Sequence, residues 1–428
     1  MFIIKNIEID GFWGNSKINV DLFEDVNIFI GDNGSGKTTF LNLIESLLSG
    51  DVARLATYKF KSIRIQLVED HHKRSLLVQR FDNSPDILTI KIGTSKFDFN
   101  IYNLNSYRRE YRMSYPPITY SIKNLREKLN EIIGLSYLSV HRNLVKQDND
   151  VLKDESSANQ NPVDSRLSDL MGRLTSYQLQ LQSTVNSLSI NFQKDILKLM
   201  LYNPIYDSVD VKTKIVIDYD KLQRGLNTAY KDLGLLDEDQ RQNVSKHLAT
   251  IKIAADRINK TNENQSPAIY ANDVAALTLM KRTERIAELS SKLEQQRNLV
   301  FEPINTYIKL ITQDFMANKE LRFSSSINKG DLVFMQSQRE YLPTLLSSGE
   351  KQLLILFTEA LLQKRARHIF IADEPELSLH ISWQRKIVSS LKILNPNSQL
   401  ILATHSPEIV GKLRKNTINM SDIITNGQ

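Results

Sequence analysis

Gly31-Asp-Asn-Gly-Ser-Gly-Lys37-Thr38-Thr39 gathers glycine, lysine and hydroxyl side chains into one short turn, a composition suited to holding a polyphosphate. Gly31, Gly34 and Gly36 let the backbone curl until successive amides face one anion, and a helix N-terminus after the turn adds partial positive charge. Lys37 then reaches the β- and γ-phosphates, and Thr38 offers its hydroxyl to Mg²⁺. Val26-Asn-Ile-Phe-Ile30 reads as a buried strand, and the apolar spacing of Phe40 to Leu48 suits a helix. Strand, glycine-rich turn and helix together distinguish a phosphate-binding loop (P-loop) from an ordinary connection. The candidate nucleotide-binding residues are Gly31, Asn33, Gly34, Ser35, Gly36, Lys37, Thr38 and Thr39.

Three further groups could act on a bound phosphate. The short apolar strand Ile369-Phe-Ile-Ala372 delivers Asp373 and Glu374 at its C-terminal edge, where ligands of parallel sheets bind. Asp373 would hold Mg²⁺ through water, alongside Thr38, and Glu374 would polarise the attacking water. His405 ends another apolar strand, Gln399 to Ala403, where it could touch a γ-phosphate. In isolation the carboxylates fit a solvated acidic turn and the histidine a structural strand end. Ser347, Ser348, Gly349 and Glu350 stand just before the apolar helix Leu353 to Leu362, so hydroxyls and amides would crown a helix N-terminus and face an anion. A serine-rich cap with no ligand fits that segment as well.

The elements that must position these groups divide along the chain. Residues 2–31 read as strands, 37–49 as the helix after the P-loop, and 57–102 as several strand-like runs such as Ser62 to Val68. Residues 1–145 form an N-terminal lobe, with an antiparallel β-subdomain at about 55–115, and residues 316–428 form a C-terminal lobe. Between them, 146–315 reads as an all-helical insertion for dimer contacts or partner docking. It opens on the polar stretch Lys146 to Asp164. Leu167, Leu170, Leu174, Tyr177, Leu181, Val185, Leu188, Phe192, Ile196 and Leu199 then recur at intervals of three and four, an apolar stripe of helical period. A second helical region spans 221–259 and a third runs from Val274 to about Phe315. In the third, Arg282, Gln296 and Pro303 spoil the companion seam, which favours a compact bundle over a long isolated coiled coil.

Composition sets outer bounds. With 428 residues, 41% hydrophobic and 24% charged, the chain is large enough for two domains. It has no cysteine, which excludes disulfides and Cys-based zinc sites, and shows neither a membrane span nor the apolar core of a signal peptide; a cytoplasmic location is expected. His71 and His72 adjoin, but neighbouring strand positions point to opposite faces and make a poor metal site. The formal charge of +6 permits nucleic-acid contact without demanding it. Lys59 to Arg64, Arg108 to Arg112 and Lys364 to Arg367 are the densest basic clusters, and these short clusters do not make a basic run with interleaved aromatics. Asp218 and Asp220 imitate a metal pair but lack an upstream glutamate-glycine partner.

Taken in order, the P-loop, Leu346-Ser-Ser-Gly349-Glu-Lys-Gln352, Asp373-Glu374 and His405 resemble an ABC-type ATPase head. The signature of that superfamily, commonly Leu-Ser-Gly-Gly-Gln or Leu-Ser-Gly-Gly-Glu, is matched with Ser348 in place of the first glycine. Roughly three hundred residues separate P-loop and signature, unlike the short helical subdomain of transporter ATPases. The arrangement is similar to the SMC, RecF and overcoming-lysogenization-defect (OLD) group, in which a helical arm interrupts the head. Ser136-Tyr-Leu-Ser-Val-His-Arg142, Arg339 to Lys351 and Asp373-Glu-Pro-Glu-Leu-Ser-Leu-His380 resemble stand-alone OLD-like ATPases of bacterial anti-phage systems, of which the PARIS and Septu ATPase subunits are examples.

The resemblance implies an α/β fold: an ABC-type P-loop NTPase head with a mixed or parallel sheet and an antiparallel β-subdomain, interrupted by helices. It implies ATP and Mg²⁺ as ligands and a homodimer in which Ser347, Ser348, Gly349 and Glu350 of one head close on ATP held by the other. The family's glutamine after the strand Leu135 to Val140 is replaced near His141 or Arg142, so turnover is expected to be slow or partner-dependent. OLD proteins append a nuclease domain after the ATPase, and only a short tail follows His405, so a nuclease effector is expected in another protein encoded nearby. A RecF- or SMC-like DNA-repair ATPase and an ATP-bound scaffold with little turnover stay open as alternatives.

Overall fold

The computed structural model describes the chain except residues 82–83, 103–115, 140–160, 205–214, 263–269, 325–331, 337–338 and 427–428. His141, Arg142, the cluster from Arg108 to Arg112 and most of the polar stretch from Lys146 lie outside the described residues. The chain divides into two compact units, Met1–Thr175 with Thr306–Gln428, and Ser176–Asn305.

The first unit is built on sheets whose strands come from both ends of the sequence. Its strands are β1 (Ile3–Phe12), β2 (Ser16–Asp21), β3 (Val26–Ile30), β4 (Ser62–Glu69), β5 (His72–Phe81), β6 (Ser84–Ile92), β7 (Ser95–Asn100), β8 (Leu135–Ser139), β9 (Glu320–Phe323), β10 (Leu332–Gln336), β11 (Arg339–Tyr341), β12 (His368–Asp373), β13 (Ser398–Ala403), β14 (Thr417–Asn419) and β15 (Ile424–Asn426). A five-stranded parallel sheet runs β14-β3-β13-β12-β8, and a seven-stranded antiparallel sheet runs β15-β2-β1-β4-β5-β6-β7. The antiparallel sheet is not confined to the 55–115 stretch: β1 and β2 precede the P-loop and β15 ends the chain. β1 explains this, because it pairs β2 on one side and β4 on the other while burying both faces.

The central parallel strands β3, β13 and β12 read as mainly apolar runs because they are covered on both faces. β13 is buried along its whole length. Its one large polar residue, Gln399, is fully buried and satisfied: Oε1 accepts from Ile4 N at 2.8 Å and Nε2 donates to Ile4 O at 2.7 Å. That amide ties the parallel sheet to β1 of the antiparallel one.

The helix Pro162–Lys198 leaves the first unit and continues into the second, and Ala271–Lys309 returns. Leu167, Leu170 and Leu174 of the apolar stripe are fully buried, and Tyr177, Val185 and Phe192 nearly so. The second helical region is two helices, Tyr219–Asp232 and Glu238–Asn262. Asp218 is the N-cap of the first, its carboxylate accepting from Lys221 N at 3.0 Å, which accounts for that residue without a metal. Gly225 lets Tyr219–Asp232 approach the helix Ala271–Lys309, since a Cβ there would lie 2.5 Å from the Ala287 Cβ. Pro303 sits inside Ala271–Lys309 without ending it, and a π-helical turn follows at Leu310–Phe315.

Candidate functional site

Three adjacent parallel strands end at one edge of the sheet, and each carries a predicted site. β3 leads into the P-loop, β13 into His405 and β12 into Asp373 and Glu374. The register fixes the alignment, with Ala403 opposite Phe29 on one side and Asp373 on the other. β8, beside β12, ends at Ser139, and the His141 and Arg142 that follow are outside the described residues.

In the P-loop, Gly31, Gly34 and Gly36 have φ of +147°, +81° and +94°, values L-residues rarely adopt. Gly36 has a second constraint: a Cβ there would lie 2.8 Å from the Trp13 ring, which packs on Phe12 with centroids 4.7 Å apart. Gly36 is also the N-cap of the helix Lys37–Leu48, which has no side-chain cap and no acidic residue in its first turn. The leading amides of this helix are therefore not engaged by a capping side chain. Lys37 is 6% exposed, and its Nζ donates to Gly31 O at 2.8 Å and Asp32 O at 3.1 Å. Burial pushes its pKa below the ordinary lysine value, against the opposing pull of Glu374, Asp373, Asp32 and Glu376. Asn33, Gly34 and Thr38 are exposed, while Ser35 and Thr39 are half-buried.

Glu374 occupies a left-handed turn at φ +50°, and its N–H donates to Ala403 O at 2.9 Å, joining the turns after β12 and β13. Asp373 is 3% exposed, whereas His405 is exposed. A buried carboxylate and an exposed threonine hydroxyl are hard oxygen donors and fit Mg²⁺, which keeps several waters and takes substrate phosphates rather than an all-protein cage.

The signature lies on the same unit but is differently built. Ser347 caps the helix Ser348–Leu362: its Oγ accepts from Glu350 N at 3.4 Å, and Glu350 Oε2 accepts from Ser347 N at 3.0 Å, a closed capping box. The other carboxylate oxygen of Glu350 accepts from Lys319 Nζ at 2.6 Å. Ser347 and Ser348 are exposed, but Gly349 is buried, and a Cβ there would lie 2.4 Å from Ser378 O. The glycine is needed for packing against the turn that follows Glu374. Deeper in the helix, Glu359 accepts from Arg166 at 2.6 Å and Ser136 Oγ at 2.9 Å, and Lys351 pairs with Asp164 at 2.7 Å.

The structure thus brings the P-loop, Asp373, Glu374 and His405 to one sheet edge and joins the signature to it through Gly349 and Ser378. Sequence reasoning missed Trp13, whose signal was an aromatic between Gly11 and Gly14 before the P-loop strand. It also missed Glu376, whose partners are distant in sequence and left no local signal.

A family model described as an AAA ATPase domain matches residues 1–410. The chain is 23% identical over 429 residues to the Retron Vc95 probable ATPase of Vibrio cholerae serotype O1 biovar El Tor, covering 95% of this chain and 71% of that one. It is 22% identical over 254 residues to the DNA replication and repair protein RecF of Clostridium tetani, covering 58% of this chain and 62% of RecF. A third match, to the Septu protein PtuA of Bacillus thuringiensis, is 29% identical over 117 residues and covers 24% of this chain and 30% of that one. Among solved structures, the Smc head domain of Pyrococcus furiosus bound to the C-terminal domain of ScpA aligns over 98% of this chain and 93% of its own, at 13% identity and a TM-score of 0.45.

Proposed function

Because the chain belongs to the AAA ATPase domain family and to the SMC/RecF/OLD-like group of ABC-type ATPases, we propose that two copies hydrolyse ATP by closing head to head, and that closure controls a separate effector in anti-phage defence. The observation that carries the reading is the convergence of Lys37 with Asp373, Glu374 and Glu376 beyond the C-terminal ends of β3 and β12, parallel strands that flank β13. That edge is where open α/β sheets bind ligands.

In the proposed mechanism, amides from Gly31 to Thr39 and the Lys37 ammonium take the β- and γ-phosphates, with Asn33 and Ser35 lining the loop. Thr38 and Asp373 would hold Mg²⁺, which supplies positive charge against the phosphate oxygens. Glu374 orients and polarises the attacking water, and His405 faces the γ-phosphate. Ser347, Ser348, Gly349 and Glu350 of the second copy complete the pocket. ATP that contacts both surfaces only when they are closed shifts the equilibrium toward the closed pair, and hydrolysis releases it. Leu342 and Leu345, 42% and 74% exposed, precede the signature, and Leu377 and Ile381, 38% and 53% exposed, flank the turn packed on Gly349. Apolar side chains left outward around a candidate closing face support this reading.

The effector is proposed to be a nuclease encoded nearby, and the similarity to the Retron Vc95 ATPase and to Septu PtuA supports a defence role. The match to RecF favours the competing reading of an ATPase acting on DNA. That reading requires turnover stimulated by duplex, with affinity falling steeply as salt rises. The deciding experiment uses Glu374→Gln and light scattering. The variant is expected to dimerise with ATP and to lose turnover on the order of a thousandfold, within the range for general acid-base groups. A variant that stays monomeric at saturating ATP would remove the shared pocket, and one with full turnover would remove Glu374 from its role. Co-purification with the product of the neighbouring gene tests the effector.

A further inference from the structure

Glu376 has no part in the mechanism above, yet its carboxylate is held by three donors at the sheet edge. Its Oε1 receives three donors from a single turn: the Thr404 hydroxyl at 2.5 Å, the His405 N–H at 3.0 Å and the Ser406 N–H at 3.2 Å. Glu376 lies beyond the end of β12 and the three donors beyond the end of β13. One carboxylate oxygen therefore ties the acidic turn to the histidine turn. Thr404 is 1% exposed and Ser406 9%, while His405 between them is exposed. The backbone on either side of the histidine is clamped and only the imidazole is left outside.

The same turn is held from two other directions. Thr404 N donates to Phe29 O of β3 at 3.1 Å, and Ser406 Oγ donates to Gln384 Oε1 at 2.6 Å, whose amide in turn donates to Leu379 O at 3.0 Å. These contacts fix where the turn lies. The bonds to Glu376 fix its shape, because adjacent N–H groups converge on one oxygen only in a narrow range of backbone angles.

We propose that Glu376 is a positioning residue for ATP hydrolysis, holding the His405 turn so that the imidazole stands at a set place relative to Glu374 and the P-loop. The proposal rests on the reading that His405 faces the γ-phosphate. A neutral side chain could stitch the turn, but a carboxylate makes charge-assisted bonds about twice as strong as neutral ones. It does so with its second oxygen, Oε2, buried and without a hydrogen bond among the described residues. Leaving such an oxygen unmatched costs stability. The charge has a counterpart in Lys37, whose ammonium feels Glu376 together with Glu374, Asp373 and Asp32.

The test compares Glu376→Ala, Glu376→Asp and Glu376→Gln in the full chain, reading kcat and the ATP dissociation constant separately, with His405→Ala as control. Alanine removes the acceptor and aspartate withdraws it by one methylene, so both should lower kcat about a hundredfold, the scale of an ångström-sized misplacement. Both should keep ATP affinity within about threefold, because the P-loop contacts are untouched. Glutamine keeps a carbonyl at the acceptor position and should restore turnover to within about tenfold of the natural chain. Wild-type kcat in the alanine and aspartate variants beside a slow His405→Ala would overturn the proposal. Equal loss of kcat and ATP affinity in all three would do the same, since it reports general collapse of the edge. Full turnover in His405→Ala would overturn the reading of the histidine and this proposal with it, and that control tells the two failures apart.

Discussion

Two helix N-termini in this molecule are proposed to meet a phosphate, and they are capped in opposite ways. The helix Lys37–Leu48 begins at a glycine, has no capping side chain and carries no acid in its first turn. The helix Ser348–Leu362 begins at a serine whose hydroxyl and N–H are both engaged by Glu350, which is itself held by Lys319. The first end presents amides and dipole to an anion directly. The second already has its own anion in place. On the proposed reading, a P-loop built this way would bind a nucleotide as a lone chain, whereas the signature would have to loosen an internal cap to accept a phosphate from a second copy. Under that proposal the difference would assign affinity to one end and switching to the other.

The largest effect should separate the two ends in binding. Lys37→Ala is expected to weaken ATP binding by a lone chain on the order of a hundredfold, the loss of charge-assisted bonds to phosphate. Ser347→Ala should leave that affinity unchanged and lower turnover instead. Titration calorimetry at dilute protein measures both. Equal losses of affinity in the two variants would mean that one chain uses both ends, which breaks the comparison.

The glycines offer a second contrast, in stability. Gly36 is required by its φ of +94° as well as by the Trp13 ring, whereas Gly349 is required because the Ser378 carbonyl leaves no room for a Cβ. Gly36→Ala should cost about 2 kcal/mol, mostly in backbone strain that removing the Trp13 ring does not relieve. Gly349→Ala should cost a similar amount, about 1 to 3 kcal/mol, from overpacking against backbone, even though alanine suits a helix better than glycine. Thermal unfolding of Gly36→Ala with and without Trp13→Ala checks the first. A full rescue by Trp13→Ala would show that the ring, not the backbone, sets the requirement.

The open end was legible in the sequence and the closed end only in part. The P-loop, Asp373-Glu374 and His405 each put their chemistry inside one turn after an apolar run, so local pattern located them. Ser347 was legible as a cap, but the ion pair of Glu350 with Lys319 and the packing of Gly349 on Ser378 join segments that no local pattern connects. Glu376 stayed hidden for the same reason. The helical stripe from Leu167 to Phe192 was readable because helix packing repeats with a fixed period, while the pairing of β15 with β2 joins the two ends of the chain. Pro303, read as spoiling a seam, sits inside a helix that runs through it.

The smallest effect tests the closed end by pH. Burial of Glu350 pushes its pKa up, but the Lys319 ammonium and the N–H and hydroxyl of Ser347 outweigh that and hold it below the ordinary glutamate value. A carboxylate with a lowered folded-state pKa contributes stability that is fully present above its unfolded value, near 4.3. That contribution is lost as pH falls through the folded value, because protonation removes the charge that the Lys319 ammonium and the Ser347 donors stabilise. Glu350→Gln should therefore be less stable than the natural chain near neutrality by about 1 kcal/mol, the usual scale of a cap, and the gap should narrow as the solution is acidified below the glutamate range. If Glu350 is the internal anion that a phosphate must displace, the same variant should close on a second copy at lower ATP concentration, since a neutral amide competes less well for the helix N-terminus. Denaturant unfolding across the pH range and light scattering across an ATP titration read the two effects. A gap constant with pH, together with an unchanged ATP requirement, would mean that the cap is only structural and that the signature end is no more closed than the P-loop end.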